Sequence, residues 1–252
     1  MTKKTYGLIG YPLGHSFSKS FFTEKFKKEA ISAAYLNFEI KELTQLPSII
    51  NETENLQGFN VTIPYKEKVF PYLDSYSPEA KAIGAVNVVK VISTTNGKKL
   101  VGFNSDYVGF MKSIRPLLKK HHRRALILGT GGSSKAIAFA LQQLNIAFHF
   151  VSRVAREGQL TYELLNKELL QNYQVVVNCT PVGMFPHEQE APLLPYTALG
   201  EEHLLYDLVY NPLKTTFMIK GEERGATVKN GLEMLHLQAI EAWNIWNSNH
   251  SF

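Results

Sequence analysis

The feature that most restricts the fold of this chain is a predicted strand–loop–helix–strand pattern over residues 124–153. Residues 125–128 are an unbroken apolar run, typical of a strand that is covered on both faces. A glycine-rich loop follows, and hydrophobic spacing then predicts a helix over 133–144 and a strand over 148–152. A sharp turn from strand to helix leaves unpaired N–H groups that can bind a pyrophosphate. We therefore expect a dinucleotide at this loop, on Gly129, Thr130, Gly131, Gly132 and Ser133.

The residues after the second strand favour NADP over NAD. A site for NAD usually has an acidic residue about 20 residues beyond the loop, which binds the ribose 2′-hydroxyl. This chain has Ser152 and Arg153 there instead, with a second arginine at Arg156. A guanidinium offers a planar set of donors to a 2′-phosphate, which a carboxylate would repel. Ordinary surface arginines are the alternative, but the missing acid leads us to expect NADP as the cofactor, with these three residues beside it.

The rest of the chain alternates strands and helices, as α/β proteins with parallel sheets do. Further strands are predicted over 6–10, 35–40, 59–63, 86–92, 99–101, 175–178 and 204–207, and further helices over 18–29, 41–50, 106–118, 161–170 and 232–246. Asn96 and Gly97 predict a hairpin turn, and Asp106 is predicted to cap the helix that it begins.

These elements predict two α/β domains with a cleft between them. The first is a substrate-binding catalytic domain of residues 1–103, joined by a C-terminal helix over 232–252. The second is a Rossmann-like, NADP-binding domain of residues 104–231. The boundary near residue 103 precedes the helix that leads into the glycine-loop unit.

The composition excludes several classes of protein. Hydrophobic residues make up 44% of the 252 residues, which is enough for a substantial core. The net charge is +5, but the basic residues are scattered, which favours solvated surfaces over a nucleic-acid site. The 8 histidines form no metal-binding pattern, so we expect no metal. Cys179, the single cysteine, is expected to be a small buried residue that closes a strand, and it indicates a reducing compartment. With no signal-peptide pattern and no membrane span, we expect the cytoplasm.

Polar residues cluster at predicted strand ends in the N-terminal half, where open α/β sheets bind their ligands. The clusters contain Ser16 and Ser18, then Asn60, Thr62 and Lys66, then Asn87, and finally Asp106. Hydroxyls, amides, one lysine and one carboxylate suit a small polyhydroxylated acid. Any one cluster could be local capping or turn chemistry. Together, beside a dinucleotide loop, they predict a substrate site.

Eight segments, in order along nearly the whole chain, resemble the shikimate dehydrogenase family. They are GYP with HSFS (10–12 and 15–18), GFNVTIPYK (58–66), GAVN (84–87), GFNSD (102–106), GTGGSSKA (129–136), NCTPVGM (178–184), DLVYNP (207–212) and GLEMLHLQA (231–239). Eight ordered matches are more specific than any single motif. The resemblance implies reversible reduction of 3-dehydroshikimate to shikimate by NADPH, in aromatic amino-acid biosynthesis.

The resemblance also implies a role for each candidate residue. Ser16 and Ser18 would hold the substrate carboxylate, and Lys66 and Asp106 would form the catalytic pair. The other substrate contacts would be Asn60, Thr62, Asn87, Tyr210 and Gln238. The remaining cofactor contacts, on the nicotinamide side, would be Asn178, Thr180, Met184, Leu208, Gly231 and Met234. The protein would act as a monomer or homodimer on its small-molecule substrate, without nucleic acid or membrane.

The chain departs from the family pattern near some of these residues. After Ser18 the family usually has a proline and then a His-Asn pair, whereas this chain has Lys19, Phe22 and Thr23. The glycine loop usually ends in Ala-x-Arg-Ala, which is Ser-Ser-Lys-Ala here, and Ser-Arg-Val over 152–154 replaces Asn-Arg-Thr. These departures leave the chemistry intact but bear on how tightly and strictly NADP is selected. The alternative enzyme is a quinate/shikimate dehydrogenase of the same fold, with relaxed use of NAD and NADP.

The chemistry needs a donor at the substrate carbonyl. Hydride transfer from the nicotinamide places negative charge on the carbonyl oxygen, which must receive a proton or a strong hydrogen bond. Lys66 is the candidate donor, and the carboxylate of Asp106 would favour its charged form and orient it. A protein that senses NADP without turnover is an alternative of another class, and it would leave Lys66, Asp106 and Gln238 without a use.

Overall fold

The chain folds into two compact α/β units in a computed structural model, which describes residues 3–14, 16–95, 97–154 and 156–248. Unit 1 comprises the described residues of Met1–Ser105 and Ala239–Phe252, and unit 2 comprises those of Asp106–Gln238. Of the residues singled out in the sequence, His15 and Asn96 lie outside the described ranges.

Unit 1 is built on a six-stranded mixed sheet. Its elements in chain order are β1 (Lys4–Gly10), α1 (Phe17–Lys28), β2 (Ala33–Glu39), α2 (Leu46–Glu52), β3 (Leu56–Val61), β4 (Ser75–Tyr76), α3 (Pro78–Ile83), β5 (Val88–Thr94) and β6 (Gly97–Phe103). The strand order is β2-β1-β3-β5-β6-β4. β1 pairs in parallel with both β2 and β3, whereas β5 runs antiparallel to β3 and β6. The pairing of Thr94 with Gly97 confirms the predicted hairpin.

Unit 2 contains the predicted strand–glycine loop–helix–strand pattern within an all-parallel sheet. Its elements are α4 (Asp106–Ile114), β7 (Arg124–Leu128), α5 (Gly132–Gln143), β8 (Ala147–Ser152), β9 (Leu160–Thr161), α6 (Lys167–Asn172), β10 (Val175–Asn178), β11 (Leu204–Asp207), α7 (Thr216–Glu222) and β12 (Thr227–Lys229). The strand order is β12-β11-β10-β7-β8-β9, and every pair is parallel. The two α/β units with a Rossmann-like parallel sheet confirm the predicted fold class.

The last helix, α8 (Leu232–Asn247), contributes to the cores of both units. Met234 packs in a core cluster of unit 2, whereas Ala239, Ala242 and Trp246 pack in a cluster of unit 1. The compact units therefore differ from the predicted division in the first part of this helix, because residues 232–238 belong with unit 2.

Both faces of the unit 2 sheet are covered by apolar side chains. Along β7, Ala125 and Ile127 enter one core cluster, and Leu126 and Leu128 enter the other. All four are fully buried, with 0% exposure. An unbroken apolar run is the pattern expected of a strand buried on both faces, so the sequence-based interpretation of residues 125–128 is confirmed.

The predicted elements that differ from the structure have local causes. The helix predicted over 106–118 ends at Ile114, because Pro116 has no N–H with which to continue it, and a 3₁₀ turn follows. Asp106 is the first residue of that helix, not the residue before it. The helix predicted over 161–170 is wrong in its first part, where a short strand and a 3₁₀ turn precede α6. Asn166 begins α6 by accepting a hydrogen bond from Leu169 N.

A glycine in β3 allows α8 to pack against the sheet of unit 1. A Cβ on Gly58 would lie 2.4 Å from Nε1 of Trp246 and 2.8 Å from the carbonyl oxygen of Val89. Trp246 Nε1 donates a 3.1 Å hydrogen bond to that same oxygen. The indole ring therefore occupies the volume that any larger residue at position 58 would need.

We expect Gly58→Ala to destabilise unit 1. Overpacking a filled core costs about 1–3 kcal/mol, and the displaced indole would also lose its hydrogen bond. The measurement is denaturant unfolding followed by tryptophan fluorescence, since Trp243 and Trp246 are the only two tryptophans. The matched control is Gly200→Ala, because a Cβ on Gly200 would meet no atom within 4 Å. Equal unfolding midpoints for the two variants would show that the close approach of Trp246 is unimportant.

Candidate active site

The glycine loop of unit 2 lies where the strand order reverses. After β7 the chain passes to β8 on one side, and it later returns to β10 on the other side of β7. Ligands of open α/β sheets bind at such a switch point, outside the carboxyl ends of the strands. Gly129 follows β7, and Asn178 ends β10 opposite Leu128. The loop and Asn178 therefore flank the crevice where a ligand of unit 2 is expected.

The geometry of the loop fits a dinucleotide. Gly129 has a φ of 101°, which side chains other than glycine rarely adopt, and Thr180 packs against it. α5 begins at Gly132, and its N-cap residue, Gly131, has no side chain to cap the first N–H groups. A Cβ on Gly131 would meet nothing within 4 Å, so the approach to these donors is open. Exposed N–H groups at a helix N-terminus suit a phosphate.

The end of β8 presents its arginines to solvent. The Ser152 hydroxyl donates to Val154 O and accepts from Val154 N, so it shapes the turn that begins at Arg153. Arg153 and Arg156 are both exposed. The positive charge of Arg153 acts on Tyr162, where it opposes the larger effect of burial, which raises the pKa of that phenol. No acidic residue occupies residues 152–154, as the sequence already showed.

The loops after β10 and β11 share a hydrogen-bond network. Asn178 Nδ2 donates to Asp207 Oδ1 over 3.0 Å, and Asn178 Oδ1 accepts from both the backbone N and the hydroxyl of Thr180. Asp207 also accepts from Val209 N and from the Thr215 hydroxyl. Asp207 is the first residue of the family-like segment over 207–212, but the sequence alone indicated no role for it. The available signal was an acidic residue that ends an otherwise apolar strand, Leu204–Asp207.

The other residues predicted for the nicotinamide side, and the predicted substrate contact Tyr210, lie in unit 2. Met184 and Tyr210 are exposed, whereas Met234 is buried at the start of α8. The backbone of Leu208 passes so close to Gly231 that a Cβ there would lie 2.2 Å from Leu208 O. The close approach of the Leu208 backbone therefore requires glycine at position 231, whether or not that residue contacts the cofactor. Cys179 is half-buried just after β10, as a strand-closing residue would be, and burial raises the pKa of its thiol.

Unit 1 gathers its predicted site residues at one edge of its sheet. Ser16 and Ser18 follow β1, and Thr62 and Lys66 follow β3. The chain direction reverses at β5, so Asn87 also lies at this edge, where its carbonyl accepts from Val61 N. The carboxyl ends of β1 and its parallel neighbours are the expected ligand edge of this sheet too.

The two asparagines of this edge are held by buried partners. Asn60 Oδ1 accepts a 2.7 Å hydrogen bond from the Tyr35 hydroxyl, and its Nδ2 donates to Asn87 O. Asn87 in turn bonds Ser105 twice, through its Nδ2 to the hydroxyl and through its Oδ1 to the backbone N. Asn60 is 5% exposed and Asn87 is 3% exposed. These bonds fix the orientation of both amides, so each presents a defined donor and acceptor.

Two further candidates belong to unit 2. Asp106 directly follows Ser105, begins α4 and is 6% exposed. Gln238 on α8 is 8% exposed and donates to Leu235 O. α4 and α8 meet closely, because a Cβ on Gly109 would lie 2.7 Å from Met234 O and 3.0 Å from Gln238 N. Lys66, the predicted partner of Asp106, is a half-buried residue of unit 1.

The described residues lack two other kinds of feature. The described residues contain no group of three or more His, Cys, Asp or Glu side chains arranged to hold a metal ion. None of the helices in the described ranges is long and apolar enough to cross a membrane.

Comparisons with known proteins agree on one family. Residues 8–89 match the family model of the shikimate dehydrogenase substrate binding domain. The chain is 38% identical to the shikimate dehydrogenase (NADP(+)) of Carboxydothermus hydrogenoformans, over 97% of this chain and 91% of that protein. It is 40% identical to the enzyme of the same name from Syntrophomonas wolfei, over 90% of this chain and 84% of that protein.

Solved structures show the same likeness. The shikimate 5-dehydrogenase of Thermus thermophilus, in complex with NADP(H) and shikimate, superimposes with a TM-score of 0.83 at 30% identity, over 97% of this chain and 93% of that one. A quinate dehydrogenase from Corynebacterium glutamicum superimposes with a TM-score of 0.84 but is only 24% identical, so it shares the fold alone. On the identities of the first two relatives, and on their coverage of nearly the whole chain, this protein belongs to the shikimate dehydrogenase family.

Proposed function

We propose that this protein is an NADP-dependent shikimate dehydrogenase, which reversibly reduces 3-dehydroshikimate to shikimate. The observation that carries the proposal is the gathering of Asn60, Thr62, Lys66 and Asn87 at one edge of unit 1, in a chain whose relatives bear that name. Hydroxyl, amide and ammonium groups at a sheet edge suit a small acid with several hydroxyls. A sensor without turnover would have no use for a lysine at that edge.

The substrate would be held by unit 1. Ser16 and Ser18 follow β1 and would bind the carboxylate, with Ser16 also capping α1 through a 3.2 Å bond from Lys19 N. The fixed amides of Asn60 and Asn87 would bind ring hydroxyls, together with Thr62. Tyr210 and Gln238, from unit 2, are the further proposed contacts. The buried networks supply the rigidity that selective recognition of hydroxyls needs.

Unit 2 would hold the dinucleotide, and the dinucleotide supplies the hydride when bound. The pyrophosphate would lie on the N–H groups of 129–133, and Arg153 and Arg156 would meet the 2′-phosphate beside Ser152. Asn178, Thr180, Met184, Leu208, Gly231 and Met234 are proposed on the nicotinamide side. Lys66 would donate to the carbonyl oxygen as charge develops there, and Asp106 would keep that lysine charged and oriented.

The cellular compartment and the oligomeric state are proposed on more general grounds than the reaction. A chain with one cysteine among 252 residues suits a reducing compartment, and we propose the cytoplasm. We propose a monomer or homodimer.

The experiment that tests the function is an absorbance assay at 340 nm with shikimate and quinate, each with NADP and with NAD. We expect turnover with shikimate and NADP to exceed the other three combinations. Comparable rates with quinate would support the broader quinate/shikimate enzyme, and comparable rates with NAD would show relaxed cofactor use. No absorbance change with any combination would contradict the proposal.

We expect Lys66→Ala to lower kcat by about 10²–10⁴-fold, the usual contribution of a general acid. The KM for shikimate should change little, since the ring and carboxylate contacts remain. Lys68→Ala is the matched control, because Lys68 is an exposed lysine two residues further along. If Lys66→Ala instead raised KM and left kcat intact, Lys66 would be a binding residue and not the donor.

We expect Arg153→Ala to raise the KM for NADP about tenfold or more, since charged hydrogen bonds to a phosphate contribute roughly 1.5–3 kcal/mol. The KM for shikimate and the weak reaction with NAD should stay the same, because neither involves a 2′-phosphate. Arg224→Ala, which removes another exposed arginine of unit 2, serves as the control. An unchanged KM for NADP would exclude Arg153 from the 2′-phosphate site.

A further inference from the structure

Asp207 is a buried carboxylate that none of the proposed catalytic steps uses. It ends β11, is 0% exposed, and lies beside Asn178 in the paired register of β10 and β11. Its Oδ1 accepts from Asn178 Nδ2 and from Val209 N, each over 3.0 Å, and its Oδ2 accepts a 2.6 Å bond from the Thr215 hydroxyl. One side chain thus joins the loop after β10, the loop after β11 and the start of α7.

Asn178 transmits this arrangement to the loop after β10. Its Oδ1 accepts from Thr180 N and from the Thr180 hydroxyl, and its Nδ2 donates to Val182 O as well as to Asp207. A carboxamide has two donor hydrogens and two acceptor lone pairs, so all four are used within unit 2. Asn178 therefore organises Thr180 and its neighbours, and it would line the nicotinamide side without a hydrogen bond from its own side chain to the ligand.

Among the described residues, the hydrogen bonds to the Asp207 carboxylate come from neutral donors: the Asn178 amide, the backbone N of Val209 and the Thr215 hydroxyl. Burial raises its pKa to about 6, although the bonds from Thr215, Val209 and Asn178 act in the opposite direction. The titratable groups that face it are Cys179 and Tyr196, and burial raises the pKa of both, so neither ionises near neutral pH. His187 and Glu190 in the neighbouring loop are exposed and lie 4.0 Å apart. Lys214, next to Thr215, is also exposed and pairs with Glu222.

Protonation of Asp207 would disturb the network at Thr215. In the ionised form, the Thr215 hydroxyl donates to Oδ2 and accepts from Met218 N, which caps α7. A proton on Oδ2 would itself need an acceptor, so the Thr215 hydroxyl would have to turn and lose its own donor bond. A buried hydroxyl without a partner is unfavourable. The three loops are therefore joined most firmly when Asp207 is ionised.

We propose that Asp207 is a positioning residue for the nicotinamide half of the dinucleotide. In its ionised form, Asp207 fixes the position of Thr180 through Asn178, and it also fixes the residues after β11. The nicotinamide half would bind to these two loops in that arrangement. The inference rests on the proposed function, since dinucleotide binding by unit 2 is itself proposed. It goes beyond that function in assigning a role to a residue that contacts neither substrate nor cofactor.

Two ligands separate this role from a general loss of structure. 2′,5′-ADP carries the 2′-phosphate but lacks the nicotinamide half, whereas NADP⁺ has both. We expect Asp207→Asn, measured by calorimetry at pH 8, to weaken NADP⁺ binding about tenfold, the usual effect of losing a hydrogen bond to a charged group. Binding of 2′,5′-ADP should stay within about twofold of wild type. Equal weakening of both ligands, or of neither, would overturn the proposal.

The pH dependence gives a second readout that a purely structural role would not produce. For this measurement the second ligand is 2′-phospho-ADP-ribose, which lacks only the nicotinamide ring. It carries the same 2′-phosphate and the same pyrophosphate as NADP⁺, so the titration of the 2′-phosphate cancels in the ratio of the two dissociation constants. For the wild type, the preference for NADP⁺ should fall as the pH drops through about 6, where Asp207 gains its proton. For Asp207→Asn the ratio should be constant. A constant ratio in the wild type would contradict the proposal, and this measurement decides the matter even if the variant fails to fold.

A control and a fallback complete the experiment. Ser113→Ala removes another buried hydroxyl of unit 2, which bonds Tyr206 over 2.6 Å, and should leave the ratio unchanged. If wild-type protein did not bind 2′,5′-ADP, the preference for NADP would be wrong. The same comparison would then be made with NAD⁺ and ADP-ribose, which share their pyrophosphate. A ratio that depends on Asp207 would still support its role, whereas an independent one would overturn it.

Discussion

Neighbouring residues along β7 and β10 enter two separate cores, and this burial of both faces determines where unit 2 can bind a ligand. Ala125 and Ile127 pack on one side of the sheet, and Leu126 and Leu128 pack on the other. With both faces covered, only the ends of the strands meet solvent. The parallel direction of all six strands then collects the residues after each strand at one edge. The glycine loop, Asn178 and Asp207 share that edge because each lies at the carboxyl end of a strand of this parallel sheet.

Unit 1 reaches a similar result with a mixed sheet. β1, β2 and β3 are parallel, and β5 runs the other way, so the start of β5 meets the end of β3. Asn60 and Asn87 are therefore adjacent although 27 residues separate them, and one amide bonds the carbonyl of the other. A departure from the family pattern at Phe22 leaves this network intact, because Phe22 is fully buried and stacks on the ring of Tyr35 at 4.8 Å. The hydroxyl of Tyr35 still reaches Asn60.

Much of this arrangement could be predicted from the sequence. The apolar run over 125–128, the glycines after it and the missing acid after β8 each have a local physical meaning, so one chain segment is enough to interpret them. The polar clusters of unit 1 were recognisable because strand ends are marked by glycine and proline. The strand and 3₁₀ turn over 160–164 were missed because their apolar residues also fit a helical spacing. The role of Asp207 was hidden for another reason: its partners are 2 to 29 residues away and meet only in the folded sheet.

The division of α8 between two cores has a consequence for how the chain folds during synthesis. The segment Asp106–Gln238 is continuous, so it emerges from the ribosome before the residues of α8 that follow it. The other unit is interrupted by that segment and needs Ala242 and Trp246 to fill the space beside Tyr6. On a chain synthesised from its N-terminus, the first strands must wait for the last helix. Unit 2 therefore has all of its residues before unit 1 does, although translation begins in unit 1, and until α8 is added the side chains that pack against Ala242 and Trp246 lack that cover.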